Sequence, residues 1–297
     1  MLNVKYSLFI FIGACSYGVL ASIVKLGLKS GHSVYELISS QYLFGLILLL
    51  VTIPFIKRVK IPFRQAAGLM LTGTALSLTG IFYGLSLERT SASLAIVLLF
   101  QFTWIGILIE SIYERKLPGK GKIAAVIFLI AGTVFASKLL SSTEHHFQAD
   151  GLFYGILAAF CYAIFMFASG KVAPGVPSLQ RSIFMTLGGL LILLIIFGPF
   201  LIKNGVQFSG LWKFSLPMAF FGAIFPIVLF AIGTPKVEAG LATILGSAEL
   251  PAAVAAAMLI LGEKITAGQI VGIILILIGI SIPQLRFQRF FQKRLKI

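Results

Sequence analysis

The sequence predicts an all-α integral membrane protein whose ten transmembrane helices form two inverted five-helix repeats. Three observations predict this fold class: the apolar composition, ten apolar runs of spanning length, and matches between the two halves at one spacing. Of the 297 residues, 59% are hydrophobic and 11% are charged, whereas a soluble domain carries about 25% charged residues. A soluble chain of this composition would not cover its surface with polar groups, so we expect hydrocarbon to surround most of it.

Ten apolar runs are close to the roughly 20 residues that a helix needs to cross the hydrocarbon core. In chain order, the runs are 5–28, 34–56, 64–87, 90–112, 122–139, 150–171, 181–202, 212–233, 238–261 and 267–285. Most connections are short, and the longest, from Ser141 to Asp150, contains His145 and His146. We therefore expect spans joined by loops, with no soluble domain between them.

The basic residues predict the orientation of the chain. If ten spans place both termini on one side, that side receives 17 of the 24 Lys and Arg residues, and the other side receives seven. Because cytoplasmic loops carry an excess of Lys and Arg, we predict a plasma-membrane protein with both termini in the cytoplasm. The net charge of +15 then reflects these loops and the tail, and nucleic acid is not an expected partner.

The basic tail, 286–297, alternates Lys and Arg with Phe and Leu. This pattern is typical of a helix that lies on anionic lipid. A disordered tail that only helps to set the orientation is the alternative.

The two halves of the chain match each other at a common spacing. The matches are Ala92 to Ala95 with Ala239 to Ala242 and Gly132 with Gly279, both 147 positions apart, and Tyr17 with Tyr162, 145 positions apart. This spacing equals five spans, and because five is odd, the second copy inserts with the opposite orientation, as in many secondary transporters. We therefore predict one five-helix repeat over 1–140 and another over 150–285, followed by the basic tail.

The last two spans of the second half carry three motifs. They are Glu249-Leu250-Pro251, Leu261-Gly262-Glu263-Lys264, and Gly268-Gln269-Ile270-Val271-Gly272-Ile273 running into Leu277-Ile278-Gly279. The first half has a looser version, with Glu114-Arg115-Lys116, Ala131-Gly132-Thr133, and Trp104 where the second half has Pro251. In these motifs and in its five-plus-five layout, the chain resembles the EamA type of the drug/metabolite transporter superfamily. The resemblance implies transport of an amino acid, another metabolite or a drug, and cavity roles for aromatic residues of the third and fourth spans.

Polar and aromatic side chains inside the spans are the candidate substrate-binding residues. They are Tyr17, Tyr83, Gln101, Trp104, Tyr162 and Glu249. Because a carboxylate in hydrocarbon is costly, we expect Glu249 to face the bundle interior, either for substrate binding or proton coupling or for a structural hydrogen bond. Gln101 corresponds to position 248 in the other half, so it either meets the solute at the same depth or joins two helices. The aromatic residues either orient a solute or pack and lie in the interfacial belt.

These features predict a secondary transporter that exports a small metabolite, such as an amino acid or a drug, by alternating access. The sequence has no Walker motif, so direct use of ATP by this chain is not expected. No cofactor is expected, and three scattered His residues do not predict a metal site. A membrane-embedded enzyme or a channel is the alternative, but either needs more ionisable or polar residues than the spans contain. The expected partners are the solute and anionic lipid, with the protein as a monomer or homodimer.

Overall fold

All regular structure in the part of the chain that is described is helical. The structure, a computed structural model, describes residues 4–55, 59–136, 149–204, 210–233, 236–237 and 244–294, with the backbone alone for 283–294. The helices are α1 Val4–Lys29, α2 Val34–Val51, α3 Phe63–Arg89, α4 Ala92–Leu99, α5 Phe102–Glu114, α6 Lys120–Ala136, α7 Ala149–Lys171, α8 Ser178–Asn204, α9 Trp212–Ala219, α10 Phe225–Gly233, α11 Glu249–Leu261 and α12 Ala267–Arg294. The prediction of an all-α protein is thus confirmed for these residues.

Eight helical segments within these ranges are long and apolar enough to cross a membrane by length and composition. They correspond to the predicted spans one to four and six to nine. The predicted fifth span is α6, which ends at Ala136, where the described residues stop. In α12, the apolar segment Ala267–Ile282 is shorter than the other eight. Each predicted run therefore contains helical segments within the described residues, and the number of ten crossings stays a prediction.

Two predicted spans are interrupted at matching positions. The fourth span consists of α4 and α5, with Phe100 and Gln101 between them. In the ninth span, Ser247 and Ala248 form a turn before α11 begins, 147 positions after the first interruption. The helices that follow also end alike, because left-handed residues follow α5 (Arg115, φ 53°) and α11 (Gly262, φ 69°) at the same spacing. The spacing found in the sequence is therefore present in the helix boundaries.

The helices of each half pack mainly against helices of the other half. Helix α1 packs against α10 and α11, and α7 packs against α3 and α5. Helix α3 also packs against α8, α2 packs against α9, and α6 packs against α12. If each span is exchanged with the span five places away, every one of these contacts becomes another observed contact. The packing is thus symmetric under exchange of the halves.

Helices α6 and α12 approach each other at two glycines. A Cβ atom added to Gly132 would lie 2.6 Å from the carbonyl oxygen of Gly272, and one added to Gly272 would lie 2.5 Å from that of Gly132. No larger residue fits at such a backbone approach, which is how small residues join helices in membranes. The two matching segments of the chain thus meet at the pair α6–α12.

Several features predicted from the sequence lie outside the described residues. These are His145, His146, the match at 239–242 and the end of the basic tail, 295–297. The side chains of the rest of the tail are outside them as well.

Candidate functional site

A cavity of about 270 Å³ lies between the two halves of the chain. Helices α1 to α4 contribute one part of its wall, and α7, α8, α10, α11 and the segment between α9 and α10 contribute the other. Its polar lining residues are Tyr17, Gln41, Tyr42, Thr79, Tyr83, Tyr162, Ser182, Thr186 and Glu249. Small-molecule sites typically enclose about 300–1,000 Å³ and are mostly apolar with a few polar groups. This cavity therefore suits a solute at the small end of that range.

Four of the six predicted site residues line the cavity: Tyr17, Tyr83, Tyr162 and Glu249. They come from α1, α3, α7 and α11, so the fold brings together residues far apart in sequence. The prediction that polar residues in mid-span face a common interior space agrees with this placement.

The other two predicted residues, Gln101 and Trp104, are not among the residues that line this cavity. The Gln101 side chain is 2% exposed and donates hydrogen bonds to the carbonyl oxygen of Val97 (2.9 Å) and to Thr133 Oγ1 (2.5 Å). Its Oε1 accepts a hydrogen bond from Trp104 Nε1 at 2.9 Å. The amide thus joins α4, α5 and α6 at the interruption of the fourth span, as the alternative interpretation of Gln101 requires.

Glu249 owes its position to the interruption of the ninth span. It is the first residue of α11, directly after the turn at 247–248. A carboxylate is stabilised at the N-terminus of a helix by the peptide dipoles. The facing residue on α1 is Gly18, where an added Cβ atom would lie 2.7 Å from both the Glu249 carbonyl oxygen and the Ala253 nitrogen. Glycine at this position therefore lets α1 pack directly against the turn that presents the carboxylate.

Three of the four tyrosines that line the cavity, Tyr17, Tyr83 and Tyr162, are predicted site residues. Tyr17 lies 6.0 Å from Phe230 between ring centroids, and Tyr162 lies edge-to-face at 4.7 Å from Phe102. The Tyr83 hydroxyl is buried, and no described residue is its hydrogen-bond partner. Buried polar groups in native proteins are nearly always hydrogen-bonded to protein, water or ligand. The Tyr83 hydroxyl is therefore available to a bound solute.

Several lining residues were not predicted from the sequence, among them Gln41 and Tyr42. Gln41 and Thr186 are 145 positions apart, the same spacing as Tyr17 and Tyr162, so the repeat was the signal that could have found them. Gln41 lies beside a π-helical segment, Phe220–Ile224, that joins α9 to α10. A Cβ atom added to Gly222 in this segment would lie 2.9 Å from Gln41 Nε2. Such π-helical turns are frequent at functional sites.

One end of the bundle is held by two charged side chains that bond to backbone. Lys25 Nζ donates hydrogen bonds to the carbonyl oxygens of Leu87 and Thr90 at the C-terminal end of α3. The Glu263 carboxylate accepts hydrogen bonds from the backbone nitrogens of Ala92 (2.6 Å) and Ser93 (3.1 Å) and from the Ser93 hydroxyl (2.7 Å). A cation at a helix C-terminus and an anion at a helix N-terminus are both favourable. These residues fix the connection between α3 and α4.

A separate groove of about 390 Å³ lies between α5, α6, α7 and α12. At its polar end, Glu110 and Lys122 form an ion pair of 2.5 Å. Phe102 lines this groove and Tyr162 lines the central cavity, so their ring contact lies between the two spaces.

Ionisable groups are scarce in the central cavity. Glu249 is the only carboxylate among the residues that line it, and none of those residues is Lys, Arg or His. Among the described residues, no cluster of His, Cys, Asp and Glu is suited to a metal ion. The lining thus offers hydroxyl groups, one amide, aromatic faces and one carboxylate.

Known proteins share both the sequence pattern and the fold. The EamA-like transporter family matches residues 149–282. The uncharacterized inner membrane transporter YicL of Salmonella typhimurium is 27% identical over 237 residues, which cover 76% of this chain and 75% of the relative. A crystal structure with 14% identity covers 97% of this chain and 99% of its own chain with a TM-score of 0.65. At this identity the crystal structure shows the fold alone, whereas the family match falls on the half with the fuller motifs.

Proposed function

We propose that the chain is a secondary transporter of the EamA type, the family whose model matches residues 149–282, and that it exports a small metabolite across the plasma membrane. The observation that carries this proposal is the cavity itself. It lies between the two halves and is lined by Tyr17, Tyr83, Tyr162 and Glu249. These four residues are predicted site residues because they are polar or aromatic and lie within the predicted spans. Amino acids, similar metabolites and drugs of comparable size are the proposed solutes.

Alternating access is the proposed mechanism, with 1–140 and 150–285 as inverted repeats. Two observations support the repeats: the span interruptions 147 positions apart and the packing that is symmetric under exchange of the halves. In transporters built from inverted repeats, the solute site lies near the midplane where the repeats meet. A cavity with walls from both halves has the composition that such a mechanism needs.

The proposed orientation places both termini in the cytoplasm, with the protein as a monomer or homodimer and anionic lipid at the basic tail. The charge difference between the two sides supports it. Single cysteines at Lys60 and His145, in a background without Cys15 and Cys161, provide the test. An impermeant maleimide applied to intact cells is expected to label the cysteine at 145 and to spare the one at 60. The reverse pattern would overturn the orientation.

An enzyme is the weaker alternative, and the lining residues argue against it. General acid–base or nucleophilic catalysis needs ionisable groups within hydrogen-bond reach of one another. The residues that line the cavity include one carboxylate and no His, Cys, Lys or Arg. A channel is likewise disfavoured, because its pore needs rings of polar groups at several depths.

Transport of an unidentified solute is best tested with a mixture. Proteoliposomes that contain the full chain are loaded with a mixed metabolite pool. The compounds that they retain are compared with those retained by protein-free liposomes loaded with the same pool. A matched control is Ala223→Trp, because Ala223 lines the cavity and the indole would fill much of it. We expect selective loss of a few small solutes from the wild-type vesicles only. Equal retention in all three preparations would contradict transport.

A further inference from the structure

We propose that the central cavity selects solutes that carry a protonated amine on a small apolar body, with Glu249 as the group that binds the ammonium. The inference rests on the proposed function in that it takes the cavity as the solute site, and it narrows the proposed solutes from amino acids, other metabolites and drugs to amines that carry no carboxylate.

The charges of the lining residues provide the first argument. Glu249 is the one carboxylate in the lining and is partly exposed, and no Lys, Arg or His lines the cavity. No described cation lies within ion-pair distance of it, since the two ion pairs of the described residues are Arg89–Glu88 and Lys122–Glu110. A charged group removed from water is costly unless it is paired. A solute ammonium supplies the missing countercharge, whereas an anionic solute would be repelled.

The aromatic residues provide the second argument. Tyr17, Tyr83 and Tyr162 line the same cavity as the Glu249 carboxylate. Cations are attracted to the faces of aromatic rings within about 6 Å. The Tyr83 hydroxyl, which no described residue hydrogen-bonds, is an acceptor for a second N–H of the same ammonium. One carboxylate, one free hydroxyl and several aromatic rings together match the donors and charge of a primary amine.

The size and polarity of the remaining wall define the body of the solute. Apart from the polar residues named above, the wall consists of apolar side chains and glycines, among them Leu20, Val24, Ile38, Leu76, Leu99 and Ile227. An apolar cavity of about 150 Å³ is known to bind benzene. The volume of about 270 Å³ therefore accommodates one aromatic ring with a short aminoalkyl chain. A carboxylate on the solute would find no basic partner among the lining residues.

The test compares four probes that share a phenethyl unit on the purified full chain in detergent. They are phenethylamine, the neutral 2-phenylethanol, the anionic 3-phenylpropionate and the zwitterionic phenylalanine, and the readout is saturable thermal stabilisation. We expect phenethylamine to bind at least tenfold more tightly than each of the others. Hydrogen bonds to charged groups are about twice as strong as neutral ones, so Glu249→Gln is expected to weaken phenethylamine at least tenfold and to leave 2-phenylethanol unchanged.

Glu88→Gln is the matched control, because it makes the same chemical change at an exposed ion pair on α3 that does not line the cavity. It is expected to bind all four probes as the wild type does. Where Glu249→Gln does not yield folded protein, Tyr83→Phe removes a hydroxyl alone and is expected to weaken phenethylamine several-fold.

Three results would overturn the inference: equal affinity for the amine and the alcohol, tighter binding of the anion or zwitterion, or undiminished amine binding by Glu249→Gln. These outcomes are distinct from a failure of the proposed function. Amine binding without any movement of solute in proteoliposomes would end the transporter proposal and leave the binding site standing. Movement of solutes without a preference for amines would end the amine inference and leave the transporter proposal standing.

Discussion

Replacement of Glu263 by alanine is expected to lower the free energy of unfolding by about 2 kcal/mol. The Glu263 carboxylate, which follows α11, accepts three hydrogen bonds at the start of α4, from the backbone of Ala92 and from the backbone and hydroxyl of Ser93. Loss of a helix N-cap costs about 1 kcal/mol, and hydrogen bonds to a charged group contribute about 1.5–3 kcal/mol. The expected loss of about 2 kcal/mol is smaller than the sum of these two contributions. Glu263 is partly exposed, and the Ser91 hydroxyl still accepts a hydrogen bond from the Leu94 nitrogen in the variant.

The assay is thermal unfolding in detergent with a thiol-reactive fluorogenic dye, which reports on Cys15 and Cys161, both partly buried. At roughly 2–4 °C per kcal/mol for a large domain, the Tm of Glu263→Ala is expected to fall by about 4–8 °C. Glu88→Ala is the control, because exposed ion pairs such as Arg89–Glu88 contribute about 1 kcal/mol or less. If both variants melt at the same temperature, the carboxylate does not hold the two helices together and the reasoning fails.

Three further substitutions separate structural roles from solute binding. Gln101→Leu leaves the indole N–H of Trp104 without its acceptor and is expected to cost about 1–2 kcal/mol in thermal unfolding; a normal Tm with lost transport would instead indicate contact with solute. Gly18→Leu is expected to abolish stable folding, because the leucine side chain would overlap the backbone of Ala253. A normal size-exclusion elution profile in detergent would show instead that α1 is free to move away from α11. Glu249→Gln is expected to lower transport strongly at unchanged yield, and full transport would make Glu249 a structural residue.

The helix positions followed from the sequence because hydrocarbon leaves the backbone few choices. In a bilayer every N–H and C=O must be satisfied within the protein, so an apolar run of sufficient length forms a helix. The same argument does not locate an interruption inside a run. Nothing in the apolar residues around Phe100 distinguishes them from their neighbours, and at the break the Gln101 side chain donates a hydrogen bond to Thr133 on another helix. Such contacts appear only once the helices are packed.

The site was partly predictable for a related reason. The cost of a polar group in hydrocarbon led us to expect that Glu249 faces the bundle interior, and it lines the cavity, but this cost does not say which interior contact satisfies a polar group. Gln101 is satisfied by neighbouring side chains behind the cavity, whereas Glu249 faces the cavity itself. Gln41 is also a polar residue within a span that lines the cavity, but it was not among the predicted site residues. Its partner at the repeat spacing is Thr186, which carries a weak signal because threonine often bonds within its own helix.

The interleaved packing has a consequence for how the chain is made. Helices α1, α3 and α6 enter the membrane before their main partners α11, α7 and α12 have been synthesised. Faces such as that of Gly132, which closes against Gly272, must therefore remain against lipid while the second half is translated. Long-range contacts of this kind form slowly and leave incomplete intermediates exposed. The half-made protein therefore exposes these faces until the second half has been inserted, and α12 is the helix whose arrival ends that exposure for α6.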